Sequence, residues 1–255
     1  MKGSLRVESV SKRFGGLQAL DSVSLVAVPG QITSIIGQNG AGKTTLLNMI
    51  TQLPPPDSGR VFAGDLELTN LAPARLASQG IVRTFQQLRI FTRLSVLDNV
   101  LIAFQNNSGE SIWTLMSRPF TVRKQHAAHR ARAYAILAEL GLASVADVEA
   151  GTLSYGLQKI LSLARGIATN SQILMLDEPA SGLSGDFVTR ILDIVRRMRD
   201  EGKTIVLVEH DMDIVFDVSD RIVVLDQGKV FAEGTPAEIR VNEGVRAIYF
   251  GNRVV

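Results

Sequence analysis

Gly37-Gln38-Asn39-Gly40-Ala41-Gly42-Lys43-Thr44 is a run of residues suited to holding phosphate. It matches G-x-x-x-x-G-K-[ST], with a strand-like stretch, Gln31–Ile36, before it and a helix-like stretch from Lys43 after it. Glycines let backbone N–H groups turn inward onto phosphate oxygens, and the following helix N-terminus adds partial positive charge. Asn39, Gly40, Ala41, Gly42, Lys43, Thr44 and the adjoining Thr45 are therefore the expected nucleotide-binding residues. Lys43 is expected to reach the β- and γ-phosphates, and the Thr44 hydroxyl to coordinate Mg²⁺. The loop by itself leaves kinases, GTPases and many other ATPases open.

A second group of chemical residues stands at the ends of apolar runs. Ile173-Leu174-Met175-Leu176 delivers Asp177 and Glu178. Asp177 suits the Mg²⁺ shell, since hard cations take carboxylate oxygen. Glu178 suits the task of orienting and deprotonating an attacking water. Taken alone the pair reads as a solvated strand end before Pro179; beside the glycine loop the chemical reading is the stronger. Thr204–Val208 delivers Glu209 and His210, and His210 could bond the γ-phosphate and the water, although a lone strand-end His is more often structural. Ile81–Phe85 delivers Gln86, a neutral residue able to touch both Mg²⁺ and water.

These groups need elements to hold them. Leu5–Val10, Val23–Val28, Gln31–Ile36 and Gly59–Ala63 are rich in β-branched residues and read as strands, broken by Pro29-Gly30 and by Pro54-Pro55-Pro56. Gln172–Leu176, Thr204–Val208 and Arg221–Leu225 are short apolar strands, with Phe187–Arg199 a helix between the first two. Strands apolar on both faces and alternating with helices predict a largely parallel sheet. From about 73 to 169 apolar residues recur at helical spacing, which predicts a helical subdomain inserted into an α/β core. The core with its small antiparallel β subdomain then takes residues 1–72 and 170–255, all 255 residues forming one domain.

Composition narrows the class. At 255 residues the chain buries a core without staples, and it contains no cysteine for a disulfide framework or a Cys-ligated metal. No apolar stretch approaches the ~18 residues of a membrane span, and the start, MKGSLRVESV, has no apolar h-region and predicts no signal peptide. The net charge of +2 comes without a long basic stripe, so no nucleic-acid partner is expected. Arg118, Arg123, Lys124, Arg130 and Arg132, with His126 and His129, are a basic stretch that reads first as a solvated helix face and second as a contact for anionic lipid headgroups. Trp113 reads as packing.

Leu153-Ser154-Tyr155-Gly156-Leu157-Gln158 opens a helix with a one-sided apolar stripe at Leu157, Ile160, Leu161, Ala164, Ile167 and Ala168. Ser154 is a good N-cap, and Gly156 permits close approach to an anion. Placed shortly before the Asp177-Glu178 strand, this segment resembles the signature of the ABC ATPase family. The resemblance spans nearly the whole chain: Walker A at Gly37–Thr44, the Q-loop glutamine Gln86, the signature, Walker B at Asp177 and Glu178, a D-loop at Ser181-Gly182-Leu183-Ser184 and the switch histidine His210. Phe14 takes the place of the aromatic that stacks on adenine, a contact worth about 1–3 kcal/mol.

The resemblance implies a composite site, in which ATP held by one subunit is closed by Ser154 and Gly156 of a second ATP-binding subunit. It implies MgATP binding and hydrolysis driving dimer closure and reopening. Tyr155 and Leu157 depart from the signature, and Ser184 from the usual D-loop acid or amide. Lys12–Leu20 (KRFGGLQAL), Gly80–Phe91 (GIVRTFQQLRIF), Leu183 through Met212 and the tail Gly234–Gly251 are similar to the ATPases of branched-chain and other hydrophobic amino-acid importers, with an insert like that of the larger of their two ATPases. This implies a different ATPase chain as dimer partner, two membrane permease subunits, a periplasmic binding protein acting indirectly, and a peripheral place at the cytoplasmic face of the inner membrane. The alternatives are a related system for urea or amide import or lipopolysaccharide export, a soluble non-transport ABC ATPase, and a subunit that binds ATP without turning it over.

Overall fold

Ile173–Asp177 (β7) and Thr204–Val208 (β8) are buried at every position, which follows from their unbroken apolar sequence. The computed structural model, which describes residues 3–84, 90–104, 119–183 and 185–250, places them in the middle of a six-stranded sheet. Across it the strands run Lys229–Gly234 (β10), Arg221–Asp226 (β9), Gln31–Ile36 (β3), β8, β7 and Ile81–Thr84 (β6). β3 pairs in parallel with β8 and β9, and β7 pairs in parallel with β8 from Ile173↔Thr204 to Asp177↔Val208. β10 closes the far edge antiparallel to β9. The parallel pair β7 and β8 needs a crossover, and Asp186–Asp200 (α6) supplies it, burying Ile191, Leu192, Ile194, Val195 and Met198.

Leu5–Phe14 (β1), Leu17–Ala27 (β2), Ser58–Ala63 (β4) and Leu66–Glu67 (β5) make a second, antiparallel sheet in the order β2-β1-β4-β5. Its strands alternate, with Leu5, Val7, Val10, Leu20, Val23 and Leu25 turned inward. These residues join one apolar cluster with Leu46, Ile50, Met175, Val206 and Leu225, so both sheets share a core. Burying each such side chain contributes roughly 1.5–3 kcal/mol. A smaller cluster on Ile36, Ile222 and Val224 is completed by Met212–Val218 (α7), Pro236–Val241 (α8) and Glu243–Phe250 (α9).

Residues Met1–Arg83 with Gln172–Val255 form one compact unit and Thr84–Ser171 another. In the second, Val96–Leu101 (α3) packs on Pro119–Glu139 (α4) and Tyr155–Ala168 (α5). Ser95 caps α3 by accepting from the Asp98 N–H at 3.0 Å. Asn99, fully buried, accepts from the Phe91 N–H at 2.8 Å and donates to the Phe91 carbonyl at 2.9 Å, so one amide side chain satisfies both backbone groups of Phe91. On α4, Arg123, Lys124, His126 and Arg130 are exposed, as a solvated face requires, while the His129 ring stacks on Phe104 at 4.7 Å. Arg118 and Trp113 lie outside the described residues. No helix among the described residues is long and apolar enough to cross a membrane.

Candidate active site

The loop from Gly37 to Lys43 leaves the C-terminal end of β3, the edge of a parallel sheet where ligands bind. Two of its glycines are required by space. A Cβ on Gly37 would lie 2.4 Å from the Leu225 carbonyl oxygen, and one on Gly42 would lie 2.8 Å from that of Ala19. Gly42 also has φ +104°, which L side chains rarely adopt. The helix that follows, Lys43–Ile50 (α1), has no side-chain cap and no acidic residue in its first turn. Its leading amides therefore keep their capacity to bond an anion. The Lys43 ammonium folds back over the loop, donating to the carbonyls of Gly37 at 2.6 Å and Gln38 at 3.0 Å. Burial lowers the Lys43 pKa, and the charges of Glu178 and Asp177 push it back up. Asn39, Gly40 and Thr44 are exposed on this loop, with Thr45 half-buried.

Asp177 ends β7 almost completely buried. Its Oδ2 accepts from Arg83 Nη2 at 2.7 Å, while Arg83 Nη1 donates to Asn48 Oδ1 of α1 at 2.6 Å. Both members of this ion pair are under a tenth exposed, so removing either leaves a buried charge, a loss of about 3–5 kcal/mol. Glu178 adopts φ +49°, costly for a non-glycine residue by about 1–3 kcal/mol. Its N–H donates to the Val208 carbonyl at 2.9 Å. His210 Nδ1 stands 3.8 Å from Glu178 Oε1, and the imidazole is well exposed. Phe14 ends β1 half exposed, with Lys12 Nζ 5.7 Å from its ring centre. Lys12 is itself held by Asp57 Oδ1 at 2.6 Å.

The first compact unit thus carries Phe14, the residues 39–45, Asp177, Glu178 and His210. Ser154 and Gly156 belong to the second unit. There Ser154 stands at the N-cap of α5, but its hydroxyl makes no capping bond and is exposed. Gly156, Ile160, Leu161, Ala164 and Ala168 are buried, whereas Leu157 and Ile167, expected in the same stripe, are half-buried. Gln158 Nε2 donates to the Leu153 carbonyl at 3.1 Å, bracing the turn before the helix. Gln86 and Ser184 lie outside the described residues. Three partners were not singled out from sequence: Arg83, Asn48 and Glu209. They are joined to the site by contacts between distant segments, and only the place of Glu209 at the end of an apolar run gave any hint.

Among the described residues no three His, Cys, Asp or Glu side chains gather as a metal cluster. A Mg²⁺ that arrives with a triphosphate needs only one or two protein oxygens besides those of the phosphates. The exposed Thr44 hydroxyl and the Asp177 carboxylate are hard donors that fit it. The glycine cradle, the uncapped helix and the half-buried lysine fit the phosphates. Fold and loop together define a phosphate-loop nucleotide-binding domain.

The comparisons carry this further. Residues 20–181 match the ABC transporter ATP-binding family, and residues 229–255 match a family described as branched-chain amino acid ATP-binding cassette transporter. The chain is 38% identical over 248 residues, 97% of each chain, to the Escherichia coli high-affinity branched-chain amino acid transport ATP-binding protein LivG. A crystal structure of an ATP-binding cassette of an ABC transporter in its ADP conformation superposes with a TM-score of 0.83 at 35% identity, covering 97% of this chain and 98% of that one. A dimeric post-hydrolysis cassette bound to ADP and Pi matches with a TM-score of 0.74 at 27% identity, covering 91% and 98%. The chain belongs to the ABC transporter ATP-binding family.

Proposed function

We propose that this chain is the ATP-binding and hydrolysing subunit of an ABC importer for branched-chain or other hydrophobic amino acids. The observation that carries the reading is the match of residues 229–255 to the branched-chain cassette family, in a chain whose phosphate loop is intact. Lys43 and the loop amides hold the β- and γ-phosphates, and Phe14 stacks on the adenine. Thr44, Asp177 and Gln86 would hold Mg²⁺, which when bound would neutralise charge developing on the transferred phosphoryl group. Glu178 accepts a proton from water as the water oxygen bonds to the γ-phosphorus; the bond to the bridging oxygen breaks and ADP leaves. His210 bonds the γ-phosphate and aligns the water.

Ser154 and Gly156 act on the nucleotide of a second ATP-binding subunit, a different chain in the full transporter. MgATP closes this dimer and hydrolysis reopens it. The 255 residues work as one cassette, its core and β subdomain in Met1–Arg83 and Gln172–Val255 and its helical part in Thr84–Ser171, a later start than the 73 expected from sequence because Ile81–Thr84 joins the core sheet. It sits peripherally at the cytoplasmic membrane face, moving two permease subunits that receive substrate from a periplasmic binding protein.

The test compares wild type with Glu178→Gln for ATP turnover and for size in MgATP. Loss of the general base is expected to lower turnover on the order of 10²–10⁴-fold while the variant accumulates as a dimer. For the substrate, cells lacking this chain should lose uptake of labelled leucine and regain it with wild type but not with Glu178→Gln. Turnover without any effect on uptake would redirect the substrate assignment.

A further inference from the structure

The two strand ends that carry Glu178 and His210 are tied together by a third carboxylate. Glu209 is buried to 1% exposure at the end of β8. Its Oε1 accepts from the Ala180 N–H at 3.1 Å, and its Oε2 accepts from the His210 N–H at 3.4 Å. The Ala180 amide is the first one available after Glu178, because Pro179 has no N–H. Glu178 precedes that proline and holds a left-handed φ of +49°, a conformation that persists only where its surroundings fix it. Bonds that brace this turn include the Glu178 N–H to Val208, the Ser181 N–H to the Glu178 carbonyl at 3.2 Å, and the Ala180 N–H to Glu209. The last of these is made by a side chain.

We propose that Glu209 is a positioning residue for ATP hydrolysis, whose carboxylate fixes the turn that aims Glu178 and anchors the backbone of His210 at the same time. The inference rests on the function proposed above. A purely structural Glu209 would satisfy a buried amide and nothing more. A positioning Glu209 sets where two reacting side chains point, and that shows in turnover rather than in nucleotide affinity. The ionic state of the group fits the same picture: burial pushes its carboxyl pKa up, and the amide donated by Ala180 pulls it back down. An amide oxygen can replace the Oε1 acceptor for the Ala180 N–H, while the amide nitrogen cannot accept from His210, so a glutamine keeps the turn after Glu178 and gives up the longer bond.

The experiment measures kcat and KM for ATP, together with affinity for a fluorescent ATP analogue, in wild type, Glu209→Ala and Glu209→Gln. Glu209→Ala is expected to lower kcat by about 10–100-fold, the scale of a small misplacement of reacting groups. Affinity should stay within about twofold, since the loop that binds phosphate is untouched. Glu209→Gln should recover most of the lost rate. The inference is overturned if Glu209→Ala keeps wild-type kcat, if Glu209→Gln falls as far as alanine, or if affinity falls in step with rate. Should the alanine variant not fold, as judged by its melting curve, Glu209→Asp keeps the charge but shortens the reach, and the same split between rate and affinity is required. A wild type that binds but never hydrolyses ATP would instead overturn the function proposed above; an active wild type matched by both variants sinks only the role of Glu209.

Discussion

Among the described helices that begin without a side-chain cap, those starting at Lys43 and at Tyr155 differ in what stands in for one. At Lys43 the preceding loop is bound into itself. Gly42 is held against Ala19, the Ala41 N–H donates to the Gln38 carbonyl at 3.1 Å, and the Lys43 ammonium covers the loop. At Tyr155 the preceding Ser154 is extended and exposed, and its hydroxyl makes no capping bond. The first helix start is a finished phosphate cradle within one chain. The second offers donors that its own chain leaves without a side-chain cap, which is compatible with the proposed role toward a partner's nucleotide. A third helix supplies the contrast: at Thr235, the hydroxyl accepts from Glu238 N and Glu238 reaches back to the Thr235 N–H at 2.7 Å. That end is closed by its own side chains.

The comparison can be broken at each of the three starts. Lys43→Met removes the cation from the finished cradle and should lower ATP turnover on the order of 10³-fold, with weakened MgATP binding; steady-state assays and titration check it. Ser154→Ala should leave the affinity of an isolated chain for ATP unchanged. It should slow turnover of the assembled dimer about tenfold, the cost of one hydrogen bond to a charged group. A loss of monomer affinity on Ser154→Ala would show that the second helix start serves its own chain.

Charge burial sharpens the contrast next. Glu209 binds its proton more tightly folded than unfolded, because burial raises its pKa. The folded state therefore gains from this group at acid pH and loses that gain as pH rises through the raised value. Glu209→Gln, which cannot ionise, should melt higher than wild type at alkaline pH, with the difference shrinking as pH falls; melting curves across pH decide it. The smallest effect belongs to the closed helix. Thr235→Ala should cost about 1 kcal/mol of stability and leave turnover unchanged.

Much of the first unit is legible in the sequence because its central strands are buried on both faces. Ile173–Asp177 and Thr204–Val208 can only be apolar runs, and a run that ends in Asp-Glu or Glu-His marks a strand end by itself. The hairpin through Phe14 and Leu17 was harder to see. The two strands are longer than their apolar stretches, since Arg13 and Gln18 are exposed and Lys12 is taken up by Asp57. The antiparallel edge strand Lys229–Gly234 and the short helices after it are illegible for the same kind of reason, since elements of six to eight residues carry too little period to read. The partnerships around the site were illegible in a different way. Arg83 lies 94 residues from Asp177, and Ala180 lies 29 from Glu209, so neither pair has a local signature. Burial of Glu209 turns an ordinary strand-end acid into a tether, and that burial is decided by the neighbouring strand.

One bond near the end of the chain has a practical side. The Gln38 side chain donates to the Ile248 carbonyl at 2.5 Å, 210 residues away, so the phosphate loop leans on the last helix. A fluorescent protein or affinity handle fused after that helix would hang from a strut of the nucleotide site. Binding curves recorded on such a fusion would report the handle's pull along with the ligand.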